Sequence, residues 1–149
     1  MKKRIYYPLI LISFIVLLDQ ATKYLARTYI NPLRSIELLP VLNLVSVRNQ
    51  GAAFGMFRSL GNNFFIAISV AAILFMLWVI VYAKEDYRVF SLLAAGAIGN
   101  LIDRITLGYV VDFVDVTVAG HHWPAFNIAD SALTIGIAFM MIIIIKKRN

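Results

Sequence analysis

Apolar residues run almost without interruption through four stretches of the chain, and polar residues gather between them. The stretches cover residues 5–26, 63–83, 89–107 and 127–145. Each is close to the ~20 residues that a helix needs to cross a bilayer. The second is the least broken, with residues 64–83 reading FFIAISVAAILFMLWVIVYA. Pro32, Gly61, Gly108, Gly120 and Pro124 punctuate the connections. The segment 28–62 is long for a simple link and holds apolar pieces, Ser35-Ile36-Glu37-Leu38-Leu39 and Leu42-Asn43-Leu44-Val45-Ser46-Val47, that suit short strands. It is expected to form a small sheet on the membrane surface, while 108–126 reads as a loop.

Lys2, Lys3 and Arg4 ahead of an apolar run resemble the start of a secretory signal. No small-residue cleavage site follows. The run leads instead into Asp19-Gln20-Ala21-Thr22-Lys23, so it is read as a retained first span. The basic residues set the orientation. Lys2 to Arg4, then Lys84 and Arg88, then Lys146 to Arg148 share one side of a four-span chain, and the positive-inside rule makes that side cytoplasmic. The connection 108–126 has no Lys or Arg, as expected of the outer side.

Composition agrees with this pattern. Of 149 residues, 61% are hydrophobic and 15% charged, against about 25% charged in ordinary soluble domains. The net charge of +6 would raise nucleic acid as a partner in a soluble protein. Here the basic residues flank apolar spans and report topology instead, so no nucleic-acid partner is expected. There are no cysteines, which excludes disulfides and thiolate chemistry. No internal repeat or linker divides the chain, so one domain over 1–149 is expected.

Charges inside spans carry the candidate chemistry. At a rise of about 1.5 Å per residue, Asp19 lies roughly 22 Å from Arg4 and Asp103 roughly 22 Å from Arg88. Asp130 lies roughly 24 Å from Lys146 on the same rise, and Asp112 follows the third span by about one turn. Carboxylates from three spans thus fall near the outer edge of the hydrocarbon, joined by Lys23 and Arg104. A charged residue within a span is costly and marks function by default. Asn49, Asn100 and Asn127, with Gly51, Gly96 and Gly99, extend the set and predict an outward-opening polar pocket.

The pocket's chemistry narrows by residue type. The only histidines, His121 and His122, are adjacent in a loop, and no HExxH or G-x-S-x-G occurs, so neither a metal centre, a cofactor site nor a serine enzyme is expected. Carboxylates remain. Two that share a site also share a proton, so one takes a proton from water while the other donates to a carbonyl oxygen. Spacing leaves the pair open among Asp19, Asp103, Asp112, Asp115 and Asp130.

Five blocks in order resemble the bacterial lipoprotein signal peptidases, or signal peptidase II. They are Asp19-Gln20-Ala21-Thr22-Lys23, Arg48-Asn49-Gln50-Gly51-Ala52-Ala53-Phe54, Gly96-Ala97-Ile98-Gly99-Asn100-Leu101-Ile102-Asp103-Arg104, Val110-Val111-Asp112-Phe113 and Phe126-Asn127-Ile128-Ala129-Asp130-Ser131. The resemblance spans essentially the whole chain, with no departure at a motif residue. It implies an all-α membrane protein of four transmembrane helices, with a small extracytoplasmic β-sheet or cradle and a short amphipathic outer helix that acts as a lid. It implies an aspartic endopeptidase that removes the signal peptide of diacylglyceryl-modified prolipoproteins just before the lipobox cysteine, and that is blocked by globomycin. The family's catalytic pair falls on Asp112 and Asp130. Asp19, Lys23, Asn49, Gly51, Asn100, Arg104 and Asn127 fall on positions that support the site or hold substrate. Prolipoproteins and membrane lipids are the implied partners, with no cofactor. The implied setting is the bacterial inner membrane, with both termini cytoplasmic and the site towards the outer face. Four spans suffice for a monomer.

Asp115, outside the implied pair, is expected to be a solvated loop acid. Leu42, Val45, Phe54, Met56 and Phe57 are candidates for contact with lipid or signal peptide, or for ordinary packing. Two other functions are weighed. A small ion-coupled carrier would use the carboxylates as proton or cation sites, but predicts internal repeats and mid-membrane helix breaks. A non-catalytic assembly factor leaves the acid cluster unexplained.

Overall fold

The computed structural model describes residues 2–51, 57–82, 86–118 and 120–148. Four helices carry the apolar stretches: α1 (Lys2–Tyr29), α2 (Asn62–Tyr82), α3 (Tyr87–Thr106) and α4 (Ile128–Arg148). Among the described residues, all four are long and apolar enough to cross a membrane. Their bounds follow the hydropathy pattern to within a few residues, because the run of apolar side chains is what a helix in lipid requires.

The helix α3 is central. Half of its apolar window is buried, against 17–28% in the other three, and it packs against α1, α2 and α4. Small residues make that possible. A Cβ on Gly96 would collide with the Ala129 carbonyl oxygen, and one on Gly99 would lie 2.6 Å from Asp19 Oδ2. Met76, Ile80, Val89, Leu93 and Ala94 form the core at one end of the bundle. That end also carries Arg88, the basic last turn of α4, and an ion pair of Lys147 with Asp86 at 3.2 Å.

All the described strands lie at the opposite end. β1 (Ile36–Leu39), β2 (Leu42–Asn49), β3 (Val110–Val118) and β4 (His121–His122) form an antiparallel sheet in the order β1-β2-β3-β4. The first two strands match expectation. The long β3, in a segment expected to be a loop, does not. Its sequence VVDFVDVTV is rich in β-branched residues, and that was the available signal. Its partner is β2, which lies more than 60 positions earlier, so only tertiary pairing decides the matter. Ala26 of α1 and Ile30, just after its end, pack on Phe113 and seat the sheet on the bundle.

Between α1 and α2, the described helical element is a single 3-10 turn, Arg58–Leu60. The expected short amphipathic outer helix has no residue bounds to test, and Ala52 to Met56, with Phe54 and Met56 among the candidate contact residues, lie outside the described residues. Leu42 and Val45 are half-buried in β2, and Phe57 is exposed.

Candidate active site

The sheet register and the start of α4 bring two acids to one cavity. Asp112 sits in β3 opposite Val47. Asp130 is the third residue of α4, where Asn127 caps the helix. Asn127 Oδ1 accepts the Asp130 backbone N–H at 2.8 Å, and Asp130 Oδ2 accepts the Asn127 N–H at 3.3 Å. This reciprocal pair is a capping box with Asn and Asp in place of Ser and Glu. Both acids line a cavity of about 1300 Å³ together with Asn49, Asn100 and Arg104. Its apolar wall includes Trp123, Pro124 and Phe126 beside the sheet, and Leu133 and Ile135 on α4.

Three asparagines aim N–H groups at the acids. Asn127 Nδ2 donates to Asp112 Oδ1 at 2.7 Å, Asn49 Nδ2 to Asp112 Oδ2 at 3.0 Å, and Asn100 Nδ2 to Asp130 Oδ1 at 2.7 Å. Their amide orientation is not free. The Oδ1 of each accepts from a group that can only donate: the Asp130 N–H for Asn127, the Gly51 N–H for Asn49 at 3.0 Å, and the Lys23 ammonium for Asn100 at 2.9 Å. Burial pushes the Asp112 carboxyl up to about 7, and the charge on Asp130 adds to this. The bonds from Asn49 and Asn127 and the Lys23 charge act the other way.

The other three acids have separate surroundings. Asp19 and Asp103 are buried and ion-paired to Lys23 at 2.9 and 3.3 Å, beside the cavity and not in its lining. Gln20, a residue the sequence reading passed over, donates to Asp19, Asp103 and the Gly99 carbonyl. Asp115 is not the solvated acid expected. It is 7% exposed, accepts from Asn43 Nδ2 at 3.1 Å, and pairs with His122 at 2.9 Å. An odd spacing of three along β3 puts it on the face opposite Asp112. The buried guanidinium of Arg104 donates to the Gly51 carbonyl at 2.6 Å and stacks over Phe65, so it ties 48–51 to α3.

A family profile described as "Signal peptidase (SPase) II" matches residues 11–146. The chain belongs to the signal peptidase II family. It is 46% identical over 147 residues to the lipoprotein signal peptidase of Thermodesulfovibrio yellowstonii, covering 99% of this chain and 100% of that one. It is 44% identical over 157 residues to that of Staphylococcus haemolyticus, covering 100% and 98%. Two solved structures, each described as a bacterial membrane enzyme, superpose with TM-scores of 0.89 and 0.84 at 37% and 38% identity. They cover 97% and 95% of this chain, and 91% and 94% of their own. The protein is therefore a multi-pass membrane peptidase of the signal peptidase II type, and the ion-coupled carrier finds no support.

Proposed function

We propose that this signal peptidase II is an aspartic endopeptidase that removes signal peptides from diacylglyceryl-modified prolipoproteins, cutting just before the lipidated cysteine, with Asp112 and Asp130 as its catalytic pair. One observation carries the choice of residues. Of the five candidate aspartates, only these two line the cavity, while Asp19 and Asp103 pair with Lys23 and Asp115 with His122.

The chemistry follows from a shared proton. The ionised carboxylate takes a proton from water as the water oxygen attacks the scissile carbonyl carbon. The protonated carboxyl gives its proton to the carbonyl oxygen. Collapse of the tetrahedral diol then returns a hydroxyl proton to one carboxylate, delivers a proton to the departing nitrogen, and breaks the C–N bond. Burial strengthens the electrostatic interactions of Asp112 with the groups around it. The cavity's polar floor and apolar wall suit a substrate whose peptide bond sits beside acyl chains.

The basic end of the bundle faces the cytoplasm with both termini, and the sheet and cavity face outward, in the inner membrane. The protein acts as a single-domain monomer in contact with lipid, without a cofactor, and globomycin occupies the cavity. Asn49, Gly51, Asn100, Arg104 and Asn127 hold substrate or carboxylates, while Asp19 and Lys23 support the site from behind.

Asp112→Asn and Asp130→Asn test the pair. Each should lower cleavage of a lipidated precursor by about 10²–10⁴-fold, the usual contribution of a general acid or base, while globomycin still raises the melting temperature. Near-normal cleavage by either variant overturns the assignment.

A further inference from the structure

Lys23 does not line the cavity that Asp112 and Asp130 share. Its side chain is 3% exposed, and its ammonium meets three acceptors: Asp19 Oδ2 at 2.9 Å, Asp103 Oδ2 at 3.3 Å and Asn100 Oδ1 at 2.9 Å. Each acceptor makes a second bond that leads to the acids. Asp19 Oδ1 accepts the Ala129 backbone N–H at 2.9 Å, and Ala129 immediately precedes Asp130. Asp103 Oδ2 accepts the Val111 backbone N–H at 2.9 Å, and Val111 immediately precedes Asp112. Asn100 donates directly to Asp130 Oδ1 at 2.7 Å.

From this arrangement, and resting on the catalytic pair proposed above, we infer that Lys23 is a positioning residue. It is a buried ammonium hub that sets the placement of Asp112 relative to Asp130 through Asp19, Asp103 and Asn100. Asp103 belongs to the hub and not to the reacting pair.

The physical need is plain. Asp112 lies on a strand and Asp130 on a helix, and no short covalent path sets their distance. The two carboxylates that hold these backbones repel one another, and both accept from Gln20 Nε2, at 3.2 Å from Asp19 and 3.1 Å from Asp103. A single ammonium between them converts the repulsion into a bridge from α1 to α3 and α4. Without it the two carboxylates move apart, and each carries one catalytic backbone with it. A misplacement of ~1 Å at a reacting group costs about 10²-fold in rate.

A second cavity of about 270 Å³, lined in part by Gln20, Lys23, Arg27 and Asp103, adjoins the ammonium. It makes chemical rescue the informative test. Lys23→Ala removes the atoms of n-propylammonium. The full-length variant, in detergent with a lipidated precursor, is expected to lose about 10²-fold in kcat with KM nearly unchanged, the pattern of an interaction realised in the transition state. Added n-propylammonium should restore kcat saturably. Tetramethylammonium, equally charged but with no N–H to donate, should not.

A kcat close to that of the unaltered protein, a loss confined to KM, or equal rescue by tetramethylammonium overturns the inference. Should Lys23→Ala fail to fold, Asp103→Asn keeps an acceptor for the Val111 N–H while removing its charge. It should lower kcat with KM retained, and an unchanged kcat overturns the hub. Asp112→Asn in the same assay separates the two readings. If it cleaves, the catalytic pair is wrong; if it is inactive while Lys23→Ala cleaves normally, only the hub is wrong.

Discussion

Asn127 serves two elements at once: its side-chain Oδ1 accepts the Asp130 N–H at the start of α4, and its Nδ2 donates to Asp112 on β3. The residue thereby links the two acids, and the same economy appears at Asn49. Its donation to Asp112 favours the ionised carboxylate against the burial that pushes it up to about 7. A pair that works with one shared proton fails when both members ionise, so kcat should fall as pH rises through about 7, with the limb belonging to the pair jointly. Removing the Asn49 donor raises the Asp112 pKa further. Asn49→Ala should therefore move the alkaline limb of the pH–rate profile to higher pH, and a limb that stays or moves down contradicts the assignment. At this scale residue spacing was informative about residue type and silent about pairing, and only the motif blocks implied Asp112 with Asp130. Asp112 and Asp115 look alike in VVDFVD. One lies in the cavity and the other faces His122, because strand alternation and a β2 partner decide which way each points.

Among the elements, α3 carries the closest tolerances. Gly99 leaves room for Asp19 to reach past α3 to the Ala129 N–H. Gly99→Ala places a methyl 2.6 Å from Asp19 Oδ2, and overpacking of this kind costs about 1–3 kcal/mol. The variant should melt at lower temperature in detergent and lose cleavage together with stability. Retention of both would show that Asp19 has slack the packing does not reveal. The four helices and the strands β1 and β2 were legible in the chain, since uninterrupted apolar runs and short alternating runs each satisfy one simple solvent requirement. The strand β3 was not. A run of valines after a span suits a loop at an interface or a strand equally well, until β2 offers its hydrogen bonds.

For the whole molecule, the separation of a basic end from a sheet end makes topology testable. The chain has no cysteine, so His121→Cys and Arg148→Cys each introduce a single label site at exposed positions of opposite ends. In intact cells stripped of any outer membrane, an impermeant thiol reagent should label position 121 directly. It should label position 148 only after permeabilisation. The opposite pattern overturns the proposed orientation. The sequence by itself determined the solvent, the number of crossings and, through its motif blocks, the family. These depend on local composition and on helix rise, which a one-dimensional pattern carries in full. The tertiary structure alone decided how Asp112 and Asp130, the pair the motif blocks implied, come to line one cavity, which asparagine faces which carboxylate, and that one lysine meets the two carboxylates that hold the neighbouring backbones. Such contacts join residues up to 110 positions apart, across strand register and helix packing, and no local pattern holds that distance.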